Sequence, residues 1–228
     1  MIVVTGRMVR SVRRALEPAA LDDPVVCYQG AVVADSDGAW LRHEPIPLEL
    51  AREAIAFLDG EGYSPNVYVG DELYVGRSTP GSREYATYNH IDLHVVGDML
   101  GWLEGPPTKL VCVGEPVVLD AVELRAKSVL GERMYISKSL AHFLEFAAPG
   151  VTKGAGLDFL AGRLGFTPAD TVAFGDGEND VELLEWAGYS VAVENAHPRV
   201  KAVADWICPS AKDEAVAQVL ESFLDSKR

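Results

Sequence analysis

The chain has 228 residues, 48% of them hydrophobic, and a mean hydropathy of +0.07, a profile that allows one large globular domain or two modest ones. Twenty basic against 34 acidic residues leave a formal net charge of −14; this argues against nucleic acid or an anionic membrane as partner, although a local phosphate site needs only a cation or two and backbone N–H groups. No apolar run reaches membrane-spanning length and no signal peptide is legible, the widely spaced Cys27, Cys112 and Cys208 read as reduced thiols of a cytoplasmic protein, and the histidines show no ligand spacing.

Strands and helices alternate along the chain. Ile2–Val4 predicts a strand, Met8–Leu16 a helix striped by Val9, Val12 and Leu16, and Val25–Tyr28 a second strand. Ala31–Ala34 and Trp40–His43 flank Asp35-Ser36-Asp37-Gly38 and predict a hairpin. A different rhythm fills 45–144. Helices are expected at Leu48–Leu58, around Arg83–Tyr88, at Met99–Leu103 and at Val117–Val129. Strands are expected at Val67–Val69, Leu73–Val75, Ile91–Val96, Lys109–Val113, Arg133–Ser137 and Phe143–Phe146. From Lys153 the simple alternation returns: a helix ending at Gly165, a strand Thr171–Phe174, a helix Val181–Ala187 and a strand Ser190–Val193. A short helix Pro198–Ala202, a strand Trp206–Cys208 and a closing helix Glu214–Leu224 complete it. The pattern predicts an α/β protein in which 1–44 and 145–228 are two parts of one sheet domain and 45–144 is an insertion.

The stretch "VAFGDGEND", residues 172–180, runs an apolar strand into a glycine-flanked aspartate, with a second acid at a helix start. Ligands of open α/β sheets bind at the carboxyl ends of strands. Asp176 and Asp180, one helical turn apart, suit a hard divalent cation such as Mg²⁺, and Asn179 adds an amide. The alternative is an ordinary Asp/Asn turn capping a helix. Lys153, in "PGVTKGAGLDFL" at 149–160, stands at a helix start, where the helix dipole and an ammonium would both favour a phosphate; a surface lysine is the alternative. In "VVTGR", the Thr5 hydroxyl and the Gly6 N–H stand between a strand and a helix and could hold a phosphate oxygen.

Taken together, Thr5-Gly6-Arg7, Lys153 and Gly175-Asp176-x-x-Asn179-Asp180 resemble motifs II, III and IV of the haloacid dehalogenase (HAD) superfamily. The insertion resembles the type IIB cap of its Cof-type phosphatases. "CYQGAVVADSDG" at 27–38, where the family usually has N-G-A, "FLEFAAPGVTKG" at 143–154 and "VAVENAHPRVKAVADWI" at 191–207 are further local matches. The resemblance implies a Rossmann-like parallel-sheet core (1–44 and 145–228) with an α+β cap (45–144). It also implies a phosphatase that forms an aspartyl-phosphate on a small phosphorylated metabolite, with Mg²⁺ as cofactor. Carried onto this chain, it makes Lys153 the catalytic cation facing the phosphoryl group, and Asp176 and Asp180 the metal ligands. Thr5, Gly6, Lys153 and Asn179 become phosphate contacts. Cap residues Arg77, Arg83, Tyr85, Tyr88, Asn89 and His90 are candidates for substrate choice.

The family's first motif, D-x-D-G-T, carries the nucleophile and ends a strand that precedes the Thr-Gly-Arg strand. No such motif stands ahead of Thr5. Asp35-Ser36-Asp37-Gly38 follows that strand, lacks the threonine and reads as a hairpin turn. The expectation is a core without its first strand, with little or no phosphatase activity in these 228 residues. Two readings are open: a phosphatase whose natural chain is longer, or a non-catalytic protein that binds a phosphorylated ligand or a partner.

Overall fold

The structure, a computed structural model, describes residues 1–225, with side chains through Ser222. They fall into two compact units, Met1–Thr152 and the segment from Lys153 onward.

The first unit begins with β1 (Val3–Val4), α1 (Val9–Leu16), β2 (Val25–Cys27), β3 (Val32–Ala34) and β4 (Trp40–His43). These strands form a four-stranded sheet in the order β1-β2-β3-β4, parallel between β1 and β2 and antiparallel beyond. Between β3 and β4 the Asp35 N–H donates to the Ala39 carbonyl at 2.8 Å and the Gly38 N–H to the Asp35 carbonyl at 2.9 Å. The D-x-D-G stretch is therefore a hairpin turn, as its position between two short strands requires. Tyr28, expected at the end of β2, leaves it. Tyr28 and Gln29 have φ of 52° and 61°, and Gly30 follows at 104°. Two consecutive non-glycine residues in the left-handed region, both buried, persist only where the surroundings fix them.

The unit continues with α2 (Leu48–Gly60), β5 (Asn66–Val69), β6 (Glu72–Val75), α3 (Pro80–Asn89), β7 (Leu93–Val95) and α4 (Met99–Trp102). It ends with β8 (Lys109–Val113), α5 (Pro116–Leu130), β9 (Tyr135–Leu140) and β10 (Phe143–Ala147). The six strands β5 to β10 form one sheet in the order β7-β6-β5-β8-β10-β9, parallel only between β6 and β7. The buried stripes of α2 (Ala51, Ala54, Ile55, Leu58) and α5 (Leu119, Val122, Ala126, Leu130) are the helical spacing that turns one face to a core. α3 starts three residues ahead of its apolar pattern because Thr79 and Ser82 form a reciprocal capping box, a polar signal that hydrophobic periodicity does not carry.

The second unit alternates throughout: α6 (Lys153–Leu164), β11 (Val172–Gly175), α7 (Val181–Trp186), β12 (Tyr189–Val193), α8 (Pro198–Val203), β13 (Trp206–Cys208) and α9 (Ala215–Asp225). β11, β12 and β13 form a parallel sheet in that order, so the mixed α/β fold expected from the alternation is present.

One long-range contact seats α1. Its N-cap, Met8, offers no side-chain acceptor. Asp71, in the β5–β6 turn with φ 64°, supplies it from 62 residues away: Oδ1 accepts from the Val9 N–H at 3.1 Å and Oδ2 from the Arg10 N–H at 2.9 Å. The Tyr28 hydroxyl donates to the same carboxylate at 2.6 Å. Asp71→Ala removes the cap and strains a left-handed position, and its expected cost is about 2 kcal/mol of stability in urea unfolding. Asp71→Asn, which tolerates that φ and keeps an acceptor, should cost less than half as much; equal losses for the two variants would show that the cap does not hold α1.

Candidate active site

In the second unit the chain leaves β11 through Gly175-Asp176-Gly177 and enters a short 3₁₀ turn, Glu178–Asp180, that leads into α7. The turn folds back on its own strand end. Asp180 Oδ2 accepts from the backbone N–H groups of Asp176 and Gly177, both at 3.0 Å, while the Asp180 N–H donates to the Gly177 carbonyl at 2.8 Å. A side chain at Gly175 would stand 2.7 Å from the Asp180 Cβ and 2.7 Å from a Leu184 methyl, so only glycine permits this approach. The His197 N–H fixes the Asp176 carbonyl at 2.8 Å. The Asp176 carboxylate itself stays exposed.

Lys153, at the first turn of α6, is buried, and its Nζ donates to Asp180 Oδ1 at 2.5 Å. Asp180 thus has one oxygen on the ammonium and the other on two amides, and it is buried with Asn179 beside it. The structure brings Lys153, Asp176, Asn179 and Asp180 together in one unit. The lysine is not the surface residue that its position alone would allow.

The residues there fit a Mg²⁺ ion. Asp176 and Asp180 are hard oxygen donors, and Mg²⁺ is held by one or two carboxylates, keeping water or phosphate oxygens for the rest of its shell. Among the described residues no group of three or more His, Cys, Asp or Glu is gathered for a metal, so the carboxylates on offer there are those of Asp176 and Asp180.

Thr5 and Gly6 belong to the first unit, where β1 meets α1. The Thr5 N–H donates to the Val26 carbonyl at 2.8 Å, and the Thr5 Oγ1 accepts from the Arg7 N–H at 3.2 Å. The left-handed Tyr28-Gln29 turn grips the loop from the other side. The Tyr28 N–H donates to the Arg7 carbonyl at 3.0 Å and the Gln29 N–H to the Thr5 carbonyl at 3.1 Å. The Gln29 side chain lies so close that a Cβ on Gly6 would meet its Nε2 at 2.4 Å.

Residues the sequence reading did not single out complete this clamp. Lys109 Nζ donates to the Gly6 carbonyl at 2.8 Å and pairs with Glu145 Oε2 at 3.2 Å; the Gln29 amide donates to the same oxygen at 2.8 Å, and Ser139 Oγ to the other at 2.5 Å. Lys109 and Glu145 are 2% and 4% exposed. The Lys109 ammonium also lies 5.2 Å from the Tyr68 ring centroid and 5.8 Å from that of Tyr28. Burial alone would lower the Lys109 pKa, but the Glu145 carboxylate, together with the neighbouring Tyr85 and Cys27, more than offsets it, and the pKa is raised from its ordinary value of 10.5. The signal was legible: an acid inside "FLEFA" and a lysine opening "KLVCV" are charges inside strands that the fold buries.

The cap candidates disperse. Tyr85 is buried, its hydroxyl bonded to that of Tyr68 at 2.8 Å, and Asn89 bonds the Tyr85 carbonyl at 2.9 Å. Tyr88 is exposed, with the Arg7 guanidinium 5.8 Å from its ring centroid. Arg77 and Arg83 bond Gly62 and Ser78, and His90 ends α3 with φ 55°. Cys27, Cys112 and Cys208 are free and buried; burial pushes the Cys27 and Cys112 thiols up to about 12. No helix among the described residues is long and apolar enough to cross a membrane.

A family model of haloacid dehalogenase-like hydrolases matches residues 1–220. The HMP-PP phosphatase of Escherichia coli O157:H7 is 26% identical over 223 residues, which is 97% of this chain and 82% of that protein. The crystal structure of TM0651 from Thermotoga maritima superposes with a TM-score of 0.81 at 29% identity, over 96% of this chain and 84% of that one. The HAD subclass IIB sugar phosphatase BT4131 superposes with a TM-score of 0.82 at 21% identity, over 97% and 84%, a likeness of fold.

Breaking the buried pair from one side leaves a stranded charge. Lys109→Met is expected to cost about 3–5 kcal/mol in urea unfolding, and Lys109→Met with Glu145→Leu clearly less than the sum of the single variants. Because the folded Lys109 pKa is raised, its contribution is complete below pH 10.5 and fades only as the pH climbs above that value. Additive single costs, or a loss that sets in near neutral pH, would contradict the pairing.

Proposed function

The chain belongs to the haloacid dehalogenase-like hydrolases, and from that premise we propose that it is a Mg²⁺-dependent phosphate-monoester hydrolase for a small phosphorylated metabolite. The observation that carries this reading is the buried Lys153 ammonium, locked on Asp180 beside the exposed carboxylate of Asp176. A cation fixed at a helix N-terminus, next to oxygen donors for a divalent metal, is an arrangement for binding and polarising a phosphoryl group. The relatives' names, HMP-PP phosphatase and sugar phosphatase, support a small organic phosphate as the substrate class. At 26% identity they carry the reaction class and not the ester.

In this reading Lys153 is the catalytic cation. It is held rigid by Asp180, so its charge is in place before the phosphoryl group accumulates negative charge. Asp176 would hold Mg²⁺ directly, and Asp180, whose oxygens are engaged, would orient it through water. When bound, Mg²⁺ offsets charge on the phosphoryl oxygens. Asn179 and, in the first unit, the Thr5 hydroxyl and the Gly6 N–H serve as phosphate contacts. We assign 1–44 and 145–228 to the catalytic core, 45–144 to the cap that selects the ester, and the cytoplasm as the working compartment. The charge of −14 favours neither nucleic acid nor a membrane surface as partner.

One observation favours a second reading, a phospho-ligand-binding protein without turnover. Asp35 and Asp37, in the chain's D-x-D-G stretch, sit in a hairpin turn, a position that argues against either as the attacking aspartate. The deciding experiment measures phosphate release from a panel of sugar phosphates, and inorganic phosphate binding by calorimetry, each with and without Mg²⁺. Mg²⁺-dependent binding is expected, weakened by about tenfold or more in Asp176→Ala; Asp35→Ala and Asp37→Ala should change it by no more than about twofold. Release lost in Asp176→Ala establishes the hydrolase; binding without release from these 228 residues excludes turnover by them and is the outcome the second reading requires; neither binding nor release overturns both.

A further inference from the structure

The buried Lys109–Glu145 pair stands outside the residues assigned to phosphate handling, yet it bears on their geometry. Three consecutive carbonyls of the β1–α1 loop are each held by a donor. That of Thr5 accepts from the Gln29 N–H at 3.1 Å, that of Gly6 from Lys109 Nζ at 2.8 Å, and that of Arg7 from the Tyr28 N–H at 3.0 Å. A trans peptide is planar, with its N–H pointing opposite to its C=O. Each lock therefore also aims the N–H of the following residue. The lock on Thr5 turns the Gly6 N–H away from the Tyr28-Gln29 turn. The lock on Gly6 turns the Arg7 N–H back onto Thr5 Oγ1, at 3.2 Å. A hydroxyl oxygen that accepts this bond keeps its own proton to give. Among the described residues neither the Gly6 N–H nor the Thr5 hydroxyl proton meets an acceptor.

The locks on Thr5 and Arg7 are backbone groups of one short turn. The lock on Gly6 is a charged side chain from β8, 103 residues along the chain. A hydrogen bond from an ammonium is roughly twice as strong as a neutral one, and this ammonium has little freedom. Glu145 holds it at 3.2 Å, and the Tyr28 and Tyr68 rings flank it. The Glu145 oxygen that holds it also accepts from the Gln29 side chain at 2.8 Å. Through Lys109, Glu145 therefore fixes the middle carbonyl of the loop. Through Gln29 it fixes the turn that grips the carbonyls on either side.

We propose that Lys109 and Glu145 are positioning residues for anion capture, holding the Thr5-Gly6-Arg7 loop so that the Gly6 N–H and the Thr5 hydroxyl stand ready as a pair of donors. The proposal deepens the phosphatase reading and rests on it for the identity of the anion. Neither Lys109 nor Glu145 touches the anion in this arrangement. They act through the peptide planes between them and it, and donors aimed before the ligand arrives need no reorganisation when it binds. Lys109 lies in the segment assigned above to the cap, so that segment serves the phosphate grip as well as the choice of ester.

The test compares backbone ¹⁵N relaxation in the full chain and in the double variant Lys109→Met with Glu145→Leu. Leu119→Ala, which truncates a buried side chain of α5, is the control for lost stability alone. The Gly6 and Arg7 amides are expected at an order parameter of about 0.85 in the unaltered chain and in Leu119→Ala, and below about 0.6 in the double variant. Inorganic phosphate affinity, measured by calorimetry with Mg²⁺, should fall at least about tenfold in the double variant and no more than about twofold in the control. A Gly6 amide that stays rigid without the pair overturns the proposal. So does a loop that loosens equally in Leu119→Ala, or a phosphate affinity that the double variant leaves unchanged. If the double variant does not fold, the unaltered chain decides. A Lys109 ammonium resonance that exchanges slowly with water and shows a nuclear Overhauser contact to the Gly6 α-protons supports the positioning, and its absence overturns it. If the unaltered chain binds no phosphate, the phosphatase reading fails, while the order parameters still decide whether the pair holds the loop.

Discussion

A lysine ammonium sealed in an apolar interior has to be neutralised on the spot, and the way Lys109 is neutralised organises the first unit. Its Nζ reaches Glu145 on the adjacent strand β10 and the backbone carbonyl of Gly6. Glu145 in turn holds Gln29 and Ser139. The pair therefore links the six-stranded sheet to the β1–α1 loop and to the left-handed turn after β2. An isolated buried charge costs several kcal/mol, and only good geometry with further hydrogen bonds offsets it. That requirement couples elements that local propensity leaves independent, and it accounts for two strained residues at Tyr28 and Gln29: the turn is held by what it grips.

The second unit solves the same problem on a smaller scale. Lys153 and Asp180 are buried together, and the carboxylate oxygen that the ammonium leaves free is taken by two amides of the loop it closes. The outcome is an asymmetry between two acids four residues apart. Asp180 is committed inside and Asp176 is presented outside. A single carboxylate type in two environments can serve as a structural anchor and as an open ligand, a division set by burial and partners and not by the side chain.

Polar groups that hydrophobic pattern analysis passes over recur as the decisive ones. Asp71 caps a helix from a distant turn, and Thr79 and Ser82 start α3 ahead of its apolar stripe. Each sits where a backbone or side-chain group would otherwise be buried without a partner, which is where a fold tolerates least freedom.

The sequence by itself determined the order of strands and helices, the hairpin at Asp35–Gly38 and the α/β class, which follow from short-range causes: apolar period and turn residues within one or two elements. The grouping of Lys153 with the Gly175–Asp180 loop was legible only through the resemblance to the haloacid dehalogenase superfamily. Element ends were less legible, because caps such as Thr79 and the departure of Tyr28 from β2 depend on hydrogen bonds rather than hydropathy. Only the tertiary structure decided that Lys109, Glu145 and Gln29 meet at Gly6, that Asp71 caps α1, and that Tyr85 and Asn89 are interior residues. Those contacts join positions up to 116 residues apart. They are fixed by which buried charge or donor lacks a partner once the chain has packed, a quantity that no local stretch of sequence contains.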